Sequence, residues 1–379
     1  REGKETLVTN GNYDIDNIKC IDQKNGYVYF MASPDNATQL YLYRTKLDGK
    51  GKAERLSPMT QEGTHDYNIS PFAKFAMHSF SSHNIFPARE WIALPSHKPL
   101  DPANSIAATM RVNDKSNVEF FKVTTEDNIT LDAWMVKPVN FDSTKKYPVV
   151  FYVYGEPASS TVVDRFGAQN NFLFKGDMSL EGYFQISVDN RGTPSLRGAE
   201  WRKSIYKKLG RINIRDQAMA AKKILEKPWF DKDRVAVWGW SGGGSSTMNL
   251  MFQFPEIYKT GIAIAAVTNL LYYDNIYEER YMGLPQENMD DYIKGSPIHY
   301  AKNLKGNLLF IHGTGDDNVQ YDNAEKMLNE LIKYGKQFQF MPYPNRSHSL
   351  SEGEGTFPHL QTLYSDYLRK YCPPGPKER

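Results

Sequence analysis

RVAVWGWSGGGSSTM, residues 234–248, passes from one kind of secondary structure to another across a single tight turn. Val235 to Trp238 is a short apolar run of β-branched and aromatic residues, the composition of a buried strand. Gly239-Trp240-Ser241-Gly242-Gly243 is the turn, and Ser245 to Gln253 is a helix-tolerant run with no proline before Pro255. A G-x-S-x-G string between a strand and a helix is a nucleophile elbow. Its glycines are needed where backbone meets backbone and a Cβ has no room. The serine hydroxyl then projects into a site toward which the following N–H groups also point. Ser241 is therefore the candidate covalent nucleophile. A chain with 27 glycines produces some such strings by chance, but chance rarely sets one between a hydrophobic strand and a helix. Both nucleotide-binding fingerprints fail: no Lys-Ser or Lys-Thr pair follows the glycines, and the G-x-G-x-x-G order is absent.

At 379 residues the chain is long for one domain, and two are expected. Forty per cent hydrophobic and 24% charged residues describe an ordinary soluble composition with enough apolar material for a core. The 46 basic and 44 acidic residues leave a net charge of +2, which offers no electrostatic basis for nucleic-acid binding. No apolar run approaches the length of a membrane span, and Arg1-Glu2-Gly3-Lys4 does not read as a signal peptide. The two cysteines, Cys20 and Cys372, give no disulfide framework and fit a cytosolic or a periplasmic protein equally well. The 24 tyrosines point to β-rich structure and amphipathic pocket walls.

Residues 1–111 read as all-β. Tyr27–Ala32 and Leu40–Thr45 are strand candidates joined by Ser33-Pro34-Asp35-Asn36, strong turn chemistry. Glu54–Pro58, His65–Ser70, Phe75–Phe80 and Trp91–Leu94 continue the series. About four short strands per 40 to 45 residues is the cadence of a propeller blade. The segment has room for about two blades and propellers need four or more, so a piece of a longer protein is expected; a small β-sandwich is the alternative. From residue 112 to 379 the rhythm changes. A hairpin, Val118–Val123 with Leu131–Val136, leads into apolar strands at Pro148–Tyr154, Tyr183–Val188, Val235–Trp238, Gly261–Val267, Leu308–Ile311 and Phe338–Pro342. Helical patterns fall at Ile214–Glu226, Ser245–Gln253, Asp322–Tyr334 and Phe357–Tyr371. Alternating β and α with continuous apolar strands predicts an α/β domain: a mostly parallel sheet with helices on both faces and a site at the carboxyl ends of the strands.

Those strand ends carry chemistry. The third long strand ends at Ser241, Leu308–Ile311 runs into His312-Gly-Thr-Gly-Asp316-Asp317-Asn318, and Phe338–Pro342 runs toward His348. The order Ser, Asp, His is that of the α/β-hydrolase fold. Serine needs a base to become nucleophilic, histidine titrates near neutrality, and a buried carboxylate fixes the histidine tautomer and steadies the imidazolium. His348 is the candidate base; His312, at the sheet itself, reads as a structural partner. Asp316 and Asp317 are adjacent, and the residues alone do not choose between them. One oxyanion donor is the N–H of Gly242. The loop after Pro148–Tyr154 lacks a lipase-type glycine run, so the second is the Tyr154 hydroxyl or a backbone group, with a plain core tyrosine as the alternative.

Tyr154-Gly-Glu-Pro, Asp189-Asn-Arg-Gly, Gly239-Trp-Ser-Gly-Gly, Tyr272-Tyr-Asp-Asn-Ile-Tyr-Glu-Glu-Arg-Tyr-Met-Gly-Leu-Pro and His312-Gly-Thr-Gly-Asp-Asp-Asn-Val together resemble the prolyl oligopeptidase family, most closely its dipeptidyl peptidase IV branch. The resemblance implies that Ser241 is the nucleophile, His348 the base and Asp316 the acid, with the Tyr154 hydroxyl completing the oxyanion hole. It implies that Val267, Leu270, Tyr273, Tyr277 and Val319 wall a small apolar pocket for proline or alanine, and that Asn318 binds a substrate carbonyl. The implied reaction removes N-terminal dipeptides with proline or alanine second, without cofactor or metal. A flat aromatic pocket suits a pyrrolidine ring and excludes larger side chains. The resemblance also implies a homodimer, a peptide substrate and export to the periplasm or exterior by a signal upstream of Arg1. Residues that anchor the substrate amine are expected upstream as well, which makes the chain alone weakly active. Two departures widen the pocket: Gly242 stands where the family usually has tyrosine, and Leu270 where the branch often has an aromatic. The alternatives are a tripeptidyl or acylaminoacyl peptidase or esterase of the same family, and a non-catalytic binding protein.

Overall fold

The structure, a computed structural model, describes Gly3 and residues 5–378; Arg1, Glu2, Lys4 and Arg379, read above as parts of the termini, lie outside the described residues. The chain divides into two compact units. One comprises Arg1–Val118, Val162–Gln169 and Pro194–Trp201, the other Glu119–Thr161, Asn170–Thr193 and Arg202–Arg379.

The first unit is all-β and holds two four-stranded antiparallel meanders, each the pattern of a propeller blade. One runs β1 (Ile15–Asp22), β2 (Tyr27–Ala32), β3 (Tyr41–Lys46) and β4 (Glu54–Arg55). The other runs β5 (Thr64–Ile69), β6 (Phe75–Ser82), β7 (Ile85–Ala93) and β8 (Lys98–Pro99). Alternation along β2 builds two apolar clusters at once: Tyr29 and Met31 enter one with Leu42 and Ile92, while Val28, Phe30 and Ala32 enter another with Tyr41 and Tyr43. Strand β1 was not legible in the sequence. Its apolar residues Ile15, Ile18 and Ile21 recur every third position and are exposed, and register shifts within the strand break the two-residue period.

The second meander buries a polar network that its hydrophobic pattern gave no sign of. His65 Nδ1 pairs with His78 Nε2 at 2.8 Å, His78 Nδ1 with Glu90 Oε1 at 2.9 Å, and Glu90 Oε2 accepts the Ile106 N–H at 3.1 Å. The polar atoms of His78, Glu90 and His97 lie within 4.8 Å of one another, close enough to receive a metal ion. They are already engaged, His78 through both nitrogens and His97 Nε2 with the Tyr67 hydroxyl at 2.8 Å. A one-turn helix, α1 (Ile106–Thr109), is capped by the Ser105 hydroxyl.

The second unit is built on one eight-stranded sheet. Its strands are β9 (Val118–Thr124), β10 (Thr130–Val136), β11 (Tyr147–Tyr152), β12 (Phe184–Asp189), β13 (Phe230–Trp240), β14 (Thr260–Ile264), β15 (Asn307–Gly313) and β16 (Gln339–Tyr343), in the order 16-15-14-13-11-12-10-9. Strands β11 to β16 pair in parallel, and β10 turns antiparallel against β12. The expected α/β fold is therefore the observed one. Val149, Val150, Val235, Val237, Ile262, Leu309 and Ile311 are buried, as the continuous apolar runs require when both faces of a parallel sheet are covered. The helices are α2 (Ala199–Lys203), which begins in the Pro194–Trp201 segment of the first unit, and α3 (Ile212–Ile224), α4 (Gly242–Gln253), α5 (Asn275–Met282), α6 (Pro285–Gly295), α7 (Asp322–Lys333) and α8 (Thr356–Tyr371) of the second. Strand order reverses around β11, which lies between β12 and β13, and this switch point opens a crevice at the carboxyl ends of the strands. Among the described residues no helix is long and apolar enough to cross a membrane, and both cysteines are free.

Candidate active site

Ser241 sits at φ 57°, ψ −121° between β13 and α4, in the left-handed half of backbone space that a non-glycine residue rarely enters. Close approach on every side holds it there. A Cβ on Gly239 would lie 2.4 Å from the carbonyl oxygens of Val153 and Gly243, and one on Gly243 would lie 2.3 Å from that of Val153. The Ser241 N–H donates to the Ile264 carbonyl at 2.9 Å, and its own carbonyl accepts the Ser245 N–H at 3.0 Å to start the helix. The turn is thus wedged between β11 and β14, at the start of α4 where the first N–H groups lack a partner within the helix.

The loop after β15 brings Asp316, and not Asp317, to His348. Asp316 Oδ2 accepts from His348 Nδ1 at 2.8 Å, and Oδ1 accepts the backbone N–H groups of Asn318 (3.0 Å) and Val319 (2.8 Å). Its neighbour is exposed. Burial would raise the Asp316 carboxyl, but hydrogen bonds from His312 and His348, with the charge of His348 and the Asn318 N–H, hold it well below the usual carboxylate range. It stays ionised, as an orienting carboxylate must. His312 is the structural partner expected of it: Nε2 lies 2.8 Å from the Val319 carbonyl oxygen, closing the loop, and 3.3 Å from Asp316 Oδ2. The His348 loop is tied to the elbow by the Trp240 indole N–H, which donates to the His348 carbonyl at 3.0 Å. Among the described residues Ser241 and His348 are not hydrogen-bonded; such contacts commonly tighten only when substrate binds.

Tyr154 follows β11, the strand beside β13. Ser246 of α4 donates to its carbonyl at 2.9 Å, and Asn190 Nδ2 donates to the next carbonyl, that of Gly155, at 3.0 Å. The Asp189-Asn-Arg-Gly block therefore supports the Tyr154 turn, and Arg191 anchors the block to the buried Asp216 at 2.7 Å. Burial, then the charge of Glu156, pushes the Tyr154 phenol well up, while a hydrogen bond with the Ser241 side chain acts in the opposite sense. The net rise keeps the hydroxyl protonated and able to donate.

Val267, Leu270 and Val319 are buried in one apolar cluster with Tyr292 and Met282, and Tyr273 and Tyr277 pack against it. The five residues expected to wall a pocket are thus assembled together. Asp274 caps α5 by accepting the Tyr277 N–H at 2.9 Å, which orients the tyrosine block, and the Tyr273 hydroxyl donates to Asn318 Oδ1 at 2.6 Å. The expected openings are filled. Leu270 is 3% exposed and packs on Gly295, where a Cβ would meet its Cδ1 at 2.9 Å. Beside Gly242 the space belongs to Glu156. A Cβ there would lie 2.6 Å from Glu156 Cδ and 2.7 Å from Oε2.

The profile of the prolyl oligopeptidase family matches residues 174–373, more than half of the chain. The chain belongs to the prolyl oligopeptidase family. The N-terminal region of dipeptidyl peptidase IV matches residues 1–87. Among relatives of this family, the probable dipeptidyl-aminopeptidase B of Arthroderma otae is 32% identical over 357 residues, which is 92% of this chain and 38% of that protein. The dipeptidyl peptidase 4 of Trichophyton equinum is 32% identical over 88% of this chain and 43% of its own length. The crystal structure of Porphyromonas gingivalis dipeptidyl peptidase 4 superposes with a TM-score of 0.85 at 30% identity, covering 97% of this chain and 51% of that one. The chain thus spans about two fifths of the length of these curated relatives.

Within this prolyl oligopeptidase-family chain, sequence reasoning overlooked Glu156 and Trp240 as parts of the site. Glu156 stood in the quoted Tyr154-Gly-Glu-Pro string, but nothing local marks an acid that will be buried against a glycine 86 positions later. The signal that could have found it is the pairing of a large side chain at one position with a missing one at the other.

Proposed function

We propose that the chain is the catalytic portion of a serine exopeptidase that removes N-terminal dipeptides with proline or alanine second. The single observation that carries this reading is the packing of Val267, Leu270, Tyr273, Tyr277 and Val319 into one apolar cluster that reaches the elbow through Tyr277, hydrogen-bonded to the Glu156 that lies against Gly242. Ser241 is the nucleophile, His348 the base, Asp316 the acid that orients it, and the Gly242 N–H and Tyr154 hydroxyl are the oxyanion donors. Ser241 Oγ attacks the carbonyl carbon of the second residue and passes its proton to His348 Nε2. The carbonyl oxygen becomes an oxyanion held by the two donors. His348 then gives the proton to the departing amine as the C–N bond breaks, leaving an acyl-enzyme. Water repeats the sequence from the same side and frees the dipeptide and Ser241. Asn318, whose Oδ1 accepts the Tyr273 hydroxyl, binds a substrate carbonyl through its amide N–H. The two β-meanders are read as blades of a larger propeller divided from the catalytic domain at about residue 111. Export and a homodimer belong to the same proposal and rest on the resemblance alone.

Chromogenic dipeptidyl-proline and tripeptidyl-proline substrates, assayed on the full-length protein, test the specificity. Release from the dipeptidyl substrate is expected; cleavage of the longer one alone would contradict it and favour a tripeptidyl peptidase.

A further inference from the structure

Glu156 is a buried acid with an unusual set of neighbours. It is 7% exposed, accepts the Tyr277 hydroxyl on Oε2 at 2.9 Å, and lays its carboxyl over the Cα of Gly242, the residue whose N–H is the proposed oxyanion donor. A side chain at 242 would occupy the same volume. The groups facing it are Tyr154 from its own loop, Tyr277 and Glu278 from α5, and Tyr273 just before α5. The first turn of α4 contributes no ionisable residue. Glu278 is itself buried, with Oε2 unpartnered among the described residues. Two carboxyls therefore share a low-dielectric region, and among the described residues no basic group acts on Glu156.

We propose that Glu156 is a specificity-determining and positioning residue: as a neutral acid it supplies the pocket wall that Gly242 lacks and holds Tyr277 in place, and its ionisation turns the site off. The inference rests on Ser241 being the nucleophile of the proposed reaction. Burial pushes the Glu156 carboxyl up to about 7, against the downward pull of the Tyr277 hydrogen bond. Below that pH the wall is uncharged and accepts an apolar ring. Above it, a negative charge stands beside the position where the oxyanion must form, and attack on any electrophile that develops negative charge there slows. The same charge makes an apolar pocket wall costly to leave without solvent.

The test is the rate of Ser241 phosphonylation by a small fluorophosphonate as a function of pH, in the full-length wild type and in E156Q. The amide keeps the shape and cannot ionise. The ratio of the E156Q rate to the wild-type rate should rise about tenfold between pH 6 and pH 8, as a single ionisation near 7 requires; titration of the base cancels in the ratio. Parallel profiles, with a constant ratio, would overturn the inference and leave the nucleophile assignment standing. No labelling of Ser241 in either protein would overturn both. A second pair reads the packing. G242A places a methyl group in the carboxyl's space and should cost at least about tenfold in rate, and E156G/G242A should recover most of it, a non-additivity expected of side chains that share one volume. Additive losses would contradict the shared-wall account even if both proteins fold.

Discussion

Asp316 and Asp317 have the same chemistry and adjacent positions, and only the fold separates them. The turn after β15 directs one carboxylate to His348 at 2.8 Å and two backbone N–H groups, and leaves the other in solvent. If Asp316 orients the base, D316N should lower kcat on the order of 10⁴-fold by favouring the wrong tautomer. D317N should change it by no more than a factor of about three, with both variants melting within a few degrees of wild type. Equal losses in the two variants would remove the distinction. The elbow was readable as a string because it needs particular residue types at fixed local spacing; the order Ser, Asp, His was readable from the loops after three apolar strand runs, and the tyrosine block only from the family resemblance. Asp316 over Asp317 was not readable from the residues, since the choice depends on the path of a loop whose last anchor, His312 against the Val319 carbonyl, forms only in the folded protein. Nor was the filling of the space at Gly242, because a contact between positions 156 and 242 leaves no periodic trace in either segment.

Elements were legible in proportion to how completely the sheet covers them. Strands β11 to β15 are buried on both faces and appear as unbroken apolar runs. Strand β1 is exposed and bulged and left no pattern, while α5 and α6 hide in a block rich in tyrosine and acid, where capping by Asp274 and the start at Pro285 define the helices more than any apolar stripe does. The strands β5 and β6 and the end of β7, read as Trp91–Leu94, were legible, but the buried histidines were not. Burial, then the charge of His78, pushes His65 down to about 3, and burial with the same neighbour pushes His97 down to about 4. Both folded values lie below the ordinary histidine value, so between pH 6.5 and about 4 the unfolded chain takes up protons that the folded meander refuses. Stability of this unit should therefore fall as pH drops through that window, by on the order of 1 kcal/mol per pH unit for each histidine, and be unaffected by these groups above pH 7. Chemical denaturation followed from pH 7 to pH 4 measures the slope. H65N should flatten it; an unchanged slope in that variant would contradict the assignment.

At the scale of the molecule, the chain has two compact units, belongs to the prolyl oligopeptidase family and spans about two fifths of its curated relatives' length. Its second unit contains every residue assigned to bond breaking: the elbow after β13, the acid after β15, the histidine after β16 and the tyrosine after β11. Their convergence follows from six parallel strands ending at one edge of a sheet whose order reverses beside β11. On the proposed reading, substrate selection is shared between the apolar cluster, Glu156 and whatever anchors the peptide amine, so turnover is a composite readout. Covalent capture isolates the chemistry. A fluorophosphonate probe incubated with the full-length protein at neutral pH, followed by mass mapping of the modified peptide, should place a single phosphonyl group on Ser241, with labelling absent in S241A and strongly slowed when His348 is replaced by alanine. An unmodified Ser241 in protein that is folded by calorimetry, or labelling that persists in S241A, would contradict the account.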